Sequence, residues 1–146
     1  MRPYSQILRS VALIILTILT FQATQASQTT QVQQADDQTR IARDMIRTLE
    51  AYAVYKMGQY DLAFERYLAL AEDGNRQGMM NVANMYAEGK GVEQSDSNAY
   101  QWNLRLAESG DRIGMAAVAQ AYRTGRGVEQ DSDRARFWDT RAGVKE

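Results

Sequence analysis

Two short stretches carry the chain's clearest claim to chemistry: Gly89-Lys90-Gly91-Val92-Glu93-Gln94 and, 36 residues later, Gly125-Arg126-Gly127-Val128-Glu129-Gln130. A cation between two glycines suggests a loop that gathers backbone N–H groups and positive charge around a phosphate. Such a loop follows a strand, and its Lys is followed by a Ser or Thr that opens the next helix. Neither condition is met, and Glu93 and Glu129 would repel an anion. Paired carboxylates are the next candidates, since two of them suffice for glycoside hydrolysis. Glu50, Glu65, Glu72, Glu88, Glu93, Glu108 and Glu129 are available. Glu72/Glu108 and Glu93/Glu129 recur 36 residues apart, whereas a catalytic dyad is built once. They read as structural or solvent-facing. The chain has no His and no Cys. That excludes a Ser-His-Asp triad, a Cys-His pair and zinc held by thiolate or imidazole. Asp131-Ser132-Asp133 is acidic but lacks the glycine and distal Glu of a calcium loop. No catalytic, cofactor or metal residue is assigned, and the chain is expected not to be an enzyme.

The loops make sense as parts of a repeat. Residues 71–106 laid on 107–142 give about 17 identities in 36 positions without a gap. Matched pairs include Gly74/Gly110, Gly78/Gly114, Val82/Val118, Tyr86/Tyr122, Gly89/Gly125, Gly91/Gly127, Ala99/Ala135 and Trp102/Trp138. A shorter copy precedes them, with Tyr55, Gly58, Ala63, Leu70, Ala71 and Gly74 on the same framework. Apolar residues fall at spacings of three and four, as in Ile41, Met45, Leu49, Tyr52 and in Leu62, Tyr67, Leu70. No stretch alternates with period two. Helices are expected over about 37–57, 61–72, 76–87, 96–108, 112–123 and 132–143. Gly89 and Gly125 sit where a left-handed cap ends a helix. The second glycine of each loop lets the chain reverse, and Lys90 and Arg126 read as solvated loop charges. Asn75, Ser95, Asp111 and Asp131 sit where an N-cap starts one. Gly78, Ala83 and Ala99 remove bulk where helices approach. Tyr86, Tyr122, Trp102 and Trp138 recur and read as core, and the methionines read as core filler. Tyr100 is different, because its counterpart is Arg136.

The N-terminus reads as a targeting segment. Arg2 and Arg9 flank the start of an apolar run, Val11–Phe21, followed by Thr24-Gln25-Ala26. This is the pattern of a secretion signal over 1–26, with cleavage expected after Ala26. The apolar run is about half the length that spans a bilayer. The expected location is therefore the periplasm or outside the cell, with no membrane span after cleavage. Losing Arg2 and Arg9 leaves 15 basic against 18 acidic residues, a balance without the basic patch that nucleic acid requires. Residues 27–36 are polar and lack periodicity, so they read as a flexible leader. About 120 residues then remain to build a core without disulfides.

The framework in 71–142, A..G…(V)A..Y..G.GV..D…A..W, resembles the Sel1-like repeat family, relatives of the tetratricopeptide repeats. Residues 41–70 look more like a plain tetratricopeptide hairpin. The resemblance implies an all-α protein, a short α/α superhelix of about three helix-turn-helix units (about 37–74, 75–110 and 111–146) within a domain spanning 37–146. It also implies a module that binds a protein or peptide partner, here one of the cell envelope. In such stacks the first helix of each unit lines the concave side. Positions there that differ between copies are candidates for partner contact: Glu50, Asn81, Asn84, Glu88, Gln120 and Thr124. Amide side chains suit an extended peptide, because each offers a donor and an acceptor. Tyr100, Leu104 and Leu106 become Arg136, Thr140 and Ala142 in the last unit, the polar outer face of an end cap. An adaptor, regulator or assembly factor is the expected role. The alternatives are an immunity protein against a delivered toxin and a non-catalytic subunit of an envelope glycan enzyme. A third is a dimer formed through exposed Tyr and Leu on helix 37–57; composition alone does not fix the oligomeric state.

Overall fold

The computed structural model describes residues 3–143, with side chains described at Leu13 and from Ile15 onward. Arg2 and the final three residues, which fall in segments assigned above, lie outside the described residues. Six helices follow in order: α1 (Pro3–Lys56), α2 (Tyr60–Glu72), α3 (Arg76–Glu88), α4 (Asp96–Glu108), α5 (Arg112–Thr124) and α6 (Ser132–Ala142). No strand occurs among the described residues. The chain divides into two units, residues 1–43 and 44–146.

The first unit is helical throughout its described length. Residues 27–36, read above as a flexible leader, lie inside α1, and every one of them is exposed. The reason is the absence of a breaker. No Gly or Pro occurs between Pro3 and Gly58. The hydroxyls of Ser27, Thr29 and Thr30 donate to carbonyls one turn back, at 2.7–2.8 Å. A polar segment can therefore stay helical without burying anything.

The second unit is a run of antiparallel hairpins. Each of α3, α4 and α5 packs against the helix before and the helix after it. The turns that set this packing are local. Gly89, Gly125 and Gly143 adopt φ of 66°, 71° and 75° and close α3, α5 and α6. Asn75 Oδ1 accepts from Gly78 N at 2.9 Å, and Ser95 Oγ from Asn98 N at 3.2 Å. Asp111 Oδ1 accepts from Ile113 N and Gly114 N, and Asp131 Oδ1 from Asp133 N and Arg134 N. All four residues expected to cap helices do so. Each such cap contributes about 1 kcal/mol.

Small residues then decide how closely the hairpins stack. A Cβ on Gly78 would lie 2.6 Å from Ala71 N, and one on Gly114 would lie 2.6 Å from Ala107 N. The backbones of α3 and α2, and of α5 and α4, meet at these points. The second loop glycine does the same work across a hairpin. A Cβ on Gly91 would fall 2.2 Å from Tyr60 O, and one on Gly127 would fall 2.1 Å from Asp96 O. Each loop rests on the first turn of the preceding second helix.

The matched pair Gly74 and Gly110 takes no part in this stacking, which narrows its reading as repeat framework. Both are exposed, and a Cβ on either would meet nothing within 4 Å. Gly110 also does not cap α4, since Ser109 holds that place. Its N–H donates to Ala107 O at 3.0 Å, and its φ of 90° swings the chain from α4 toward the Asp111 cap of α5. The repeat retains Gly110 and Gly74 for the shape of the turn and for nothing they touch.

Two core clusters result. One joins Ala51 and Val54 of α1 with Tyr67, Leu70, Val82, Met85 and Leu106. The other joins Tyr100, Ala107, Met115, Val118, Tyr122 and Ala135. Helix α4 contributes to both, so it couples the hairpins on either side. Burying each of Tyr67, Leu70 and Leu106 is worth about 1.5–3 kcal/mol. Tyr86, Trp102 and Trp138 are half-buried against these clusters, and Tyr122 is buried. Met79, Met85 and Met115 are core, but Met45 and Met57 are exposed, so two methionines read as core filler are not. At the far end Arg136 and Thr140 are exposed where their counterparts Tyr100 and Leu104 are covered.

Candidate functional site

The charge at the centre of each Gly-x-Gly loop is engaged within the fold. Arg126 reaches the N-terminal end of α4, with Nη2 2.7 Å from Asp96 Oδ1. This hydrogen bond holds its guanidinium above the ordinary range. Lys90 occupies the equivalent place against α2, where residue 60 is Tyr instead of Asp. Its Nζ pairs with Glu88 at 2.6 Å, donates to Tyr55 Oη at 3.0 Å and sits over the rings of Tyr55 and Tyr60. The hydrogen bonds to Glu88 and then to Tyr55 push its pKa well up. Both charges remain open to solvent, as expected of loop residues, and each is also paired within the fold. Each helps fasten its loop to the preceding hairpin, because the glycine contact brings it within reach of that helix end. An open depression bounded by Gly58–Leu62 and Gly89–Gly91 lies beside Lys90, but its cation is already held by a carboxylate.

The better-formed depression lies between α3 and α5, with α4 beneath. Ala87 of α3 stands on one side, and Ala117, Gln120, Ala121 and Thr124 of α5 on the other. Buried Ala99 and Tyr100 of α4 form the floor, with half-buried Asp96 and Asn103 and exposed Arg126 completing the lining. Its volume is about 130 Å³, room for one inserted side chain and well below a drug-sized ligand pocket. The walls are kept low by alanine at 87, 117 and 121. Polar groups sit at the rim: the Gln120 amide, the Thr124 hydroxyl, Asn103 and the Arg126–Asp96 pair.

The floor is rigid. Tyr100 and Tyr122 bring their hydroxyls to 2.8 Å and their rings edge to face at 5.7 Å. Arg134 Nη1 donates to Tyr122 Oη at 3.3 Å, which raises the pKa of its guanidinium. Burial, and then the bond to Tyr122, pushes the Tyr100 phenol well above its usual value. The two hydroxyls satisfy one another. The floor holds no nucleophile and no acid–base pair.

Of the six residues proposed for partner contact, Gln120 and Thr124 wall this groove. Glu50, Asn81, Asn84 and Glu88 do not line it. Glu50 and Asn84 are exposed elsewhere, Glu88 is paired with Lys90, and half-buried Asn81 donates to Gln77 O of its own helix at 2.8 Å. Gln120 Oε1 accepts from Arg123 at 2.5 Å and Thr124 donates to the Gln120 carbonyl, while the Gln120 side-chain NH2 donates to no group of the fold. Sequence reasoning missed Asn103, Asp96 and Arg126. Tyr100, the departure from the repeat framework, is the signal in the sequence that could have led to this place. Glu72, Glu93, Glu108 and Glu129 are all exposed. Among the described residues no cluster of three metal-binding side chains occurs, and no helix is long and apolar enough to cross a membrane.

The description "Sel1 repeat" matches residues 76–111 and 113–142. A solved Sel1 repeat protein from Oxalobacter formigenes is 31% identical, with a TM-score of 0.55 over 59% of this chain and 66% of that one. A protective antigen of uropathogenic Escherichia coli displaying an SLR fold is 36% identical, with a TM-score of 0.56 over 57% of this chain and 18% of that one. An exopolysaccharide production negative regulator of Rhizobium leguminosarum bv. viciae is 42% identical over 50 residues, 34% of this chain. The chain spans 19% of the length of that curated relative. Sel1 repeat proteins are generally scaffolds for protein–protein interaction and typically lack catalysis of their own. The matched repeats, their glycine-set packing and these neighbours place the chain in the Sel1 repeat family, as an all-α solenoid of helical hairpins.

Proposed function

We propose that this protein is an exported adaptor, regulator or assembly factor that holds a peptide or protein segment in the groove between α3 and α5. The observation that carries the reading is the groove itself. It has a floor fixed by two paired tyrosines, low alanine walls, and free amide donors of Gln120 at the rim. A site of about 130 Å³ takes one anchoring side chain, while the rim hydrogen-bonds the backbone on either side of it. Export is supported by the signal-like pattern of residues 1–26. Leu13, Ile15, Leu16, Ile18, Leu19 and Phe21 are all at least half exposed, an apolar run that the fold does not use. The role of the Rhizobium relative, negative regulation of exopolysaccharide production, favours a regulator among the three roles.

The test is recovery of partners from envelope extract by the wild-type protein and by Ala117→Arg, which fills the groove from a half-buried position in its lining. One stoichiometric protein that is retained by the wild type and lost by the variant, with helicity unchanged, supports the site. Equal recovery by both, or binding to glycan alone, refutes it. Edman or mass analysis of the exported product should give Ser27 as its first residue.

A further inference from the structure

Helix α1 enters the second unit with one face in the core and the opposite face bare. Ala51 and Val54 are buried there, with Thr48 and Tyr55 half-buried. Leu49 lies roughly 170° around the helix from the midpoint of Ala51 and Val54, at about 100° per residue. Met45 and Tyr52 flank it on one side, Ile46 and Ala53 on the other. Met45, Ile46, Leu49 and Tyr52 are 62%, 58%, 61% and 53% exposed. A helix apolar on both faces is one that is covered on both.

The repeat shows what kind of object covers this face. Setting Tyr55 on Tyr86 places Tyr52 on Ala83 and Leu49 on Met80. Ala83 and its next counterpart, Ala119, are 1% and 0% exposed. In α3 and α5 this position is buried within the array. On α1 it carries large apolar side chains and stays open. The other end of the array does not supply a matching surface, since α6 presents Arg136 and Thr140 there. Head-to-tail stacking would bury those polar groups against Leu49, so an open chain of copies is disfavoured. A twofold pairing lets the apolar face meet itself.

We propose that two copies of this chain associate through this face of α1, about a twofold axis near Leu49, with Tyr52 of each copy against Met45 or Ile46 of the other. The face of each copy is only two to three turns long. The pair would bury on the order of 1,000 Å² in all, the small end of specific interfaces. The expected association is reversible, with a dissociation constant in the micromolar range, and it leaves the α3–α5 groove free in both copies.

The chain has no cysteine, so one introduced thiol reports symmetry directly. The full-length protein is followed by sedimentation from about 1 to 100 μM, the span bracketing a weak interface of this size. The wild type should shift from one chain to two. Leu49→Lys, on an exposed position, should keep its helicity and weaken association at least 100-fold. Phe137→Lys, at another exposed apolar site, should associate as the wild type does. Leu49→Cys should form a disulfide-linked dimer on mild oxidation, and Ser132→Cys should not. A wild type that stays single throughout overturns the proposal. So does a dimer that survives Leu49→Lys, which would point to the apolar run at 11–21, and so does equal cross-linking at 49 and 132. None of these outcomes depends on whether a groove partner is found.

Discussion

Gly125 and Gly127 occupy one loop, share a left-handed backbone with φ of 71° and 73°, and differ in what surrounds them. Replacing either with Ala incurs the same conformational cost, about 1 kcal/mol. At Gly125 the added methyl would meet nothing closer than Gln130 Cβ at 3.5 Å, an ordinary contact. At Gly127 it would stand 2.1 Å from Asp96 O and 2.5 Å from Asp96 C. These are backbone atoms in the first turn of α4 and cannot rotate away. The loop must lift by about 1 Å or more, which strains its seat on α4 and the Arg126–Asp96 pair. Overpacking of this kind costs about 1–3 kcal/mol. Gly127→Ala should therefore fall below Gly125→Ala by about that amount. For a folded unit near 100 residues, each 1 kcal/mol is about 4–8 °C in Tm. Urea and thermal unfolding followed by circular dichroism at 222 nm measure the gap. Gly91→Ala, 2.2 Å from Tyr60 O, against Gly89→Ala gives an independent repeat, although Gln94 Cβ at 3.1 Å narrows the contrast. Equal losses at 125 and 127, within about 0.5 kcal/mol, would show that the second glycine is there only for the turn, and the stacking argument would fail.

Asp111 is buried, caps α5 with two backbone bonds and meets the mostly exposed Arg76. Asp111→Ala should cost about 1–2 kcal/mol for the cap alone. Arg76→Ala keeps the cap but leaves a buried carboxylate without its cation, and should cost about 1–3 kcal/mol. Denaturant midpoints rank the two. Alkaline stability should report the floor of the groove. The folded Tyr100 phenol titrates above its unfolded value, near 10, through burial first and the Tyr122 bond second. Above that pH the unfolded chain releases a proton that the folded chain keeps, so stability present at neutral pH is lost as pH rises. The fall in Tm between pH 9 and 11 should be shallower in Tyr100→Phe than in wild type. Identical slopes would show that this phenol titrates normally.

What the sequence made legible acts over a few residues or recurs at the repeat interval. Gly89 and Gly125 cap because no other residue takes that φ cheaply. Asn75, Ser95, Asp111 and Asp131 cap because their oxygens reach N–H groups two or three residues ahead. Gly78 and Gly114 recur because two backbones touch there. Recurrence alone did not separate them from Gly74 and Gly110, which stand in open space. What escaped depends on neighbours far along the chain. Lys90 meets Tyr55 35 residues away, so its position in a loop gave no hint that it was engaged. Met45 and Leu49 keep helical spacing, which marks a face without saying whether anything lies against it. The length of α1 was hidden because its polar segment has no periodicity, yet nothing in it stops a helix. The groove was half visible. Variation between copies marks exposed positions, and that flagged Gln120 and Thr124. It cannot tell which exposed positions converge, and Glu50, Asn81, Asn84 and Glu88 carry the same mark while lying elsewhere.

Gly91 seated on Tyr60 and Gly127 seated on Asp96 form the same joint, one period apart. If residues 76–111 were excised, Asn75 would precede Arg112, and Gly127 would settle onto Tyr60 as Gly91 does now. The seam would keep the glycine-on-helix joint the molecule already uses, with Arg126 meeting Tyr60 where it now meets Asp96. Length is thus a variable of this architecture: genetic duplication or loss of one period changes how many grooves the protein offers while the backbone joint stays the same.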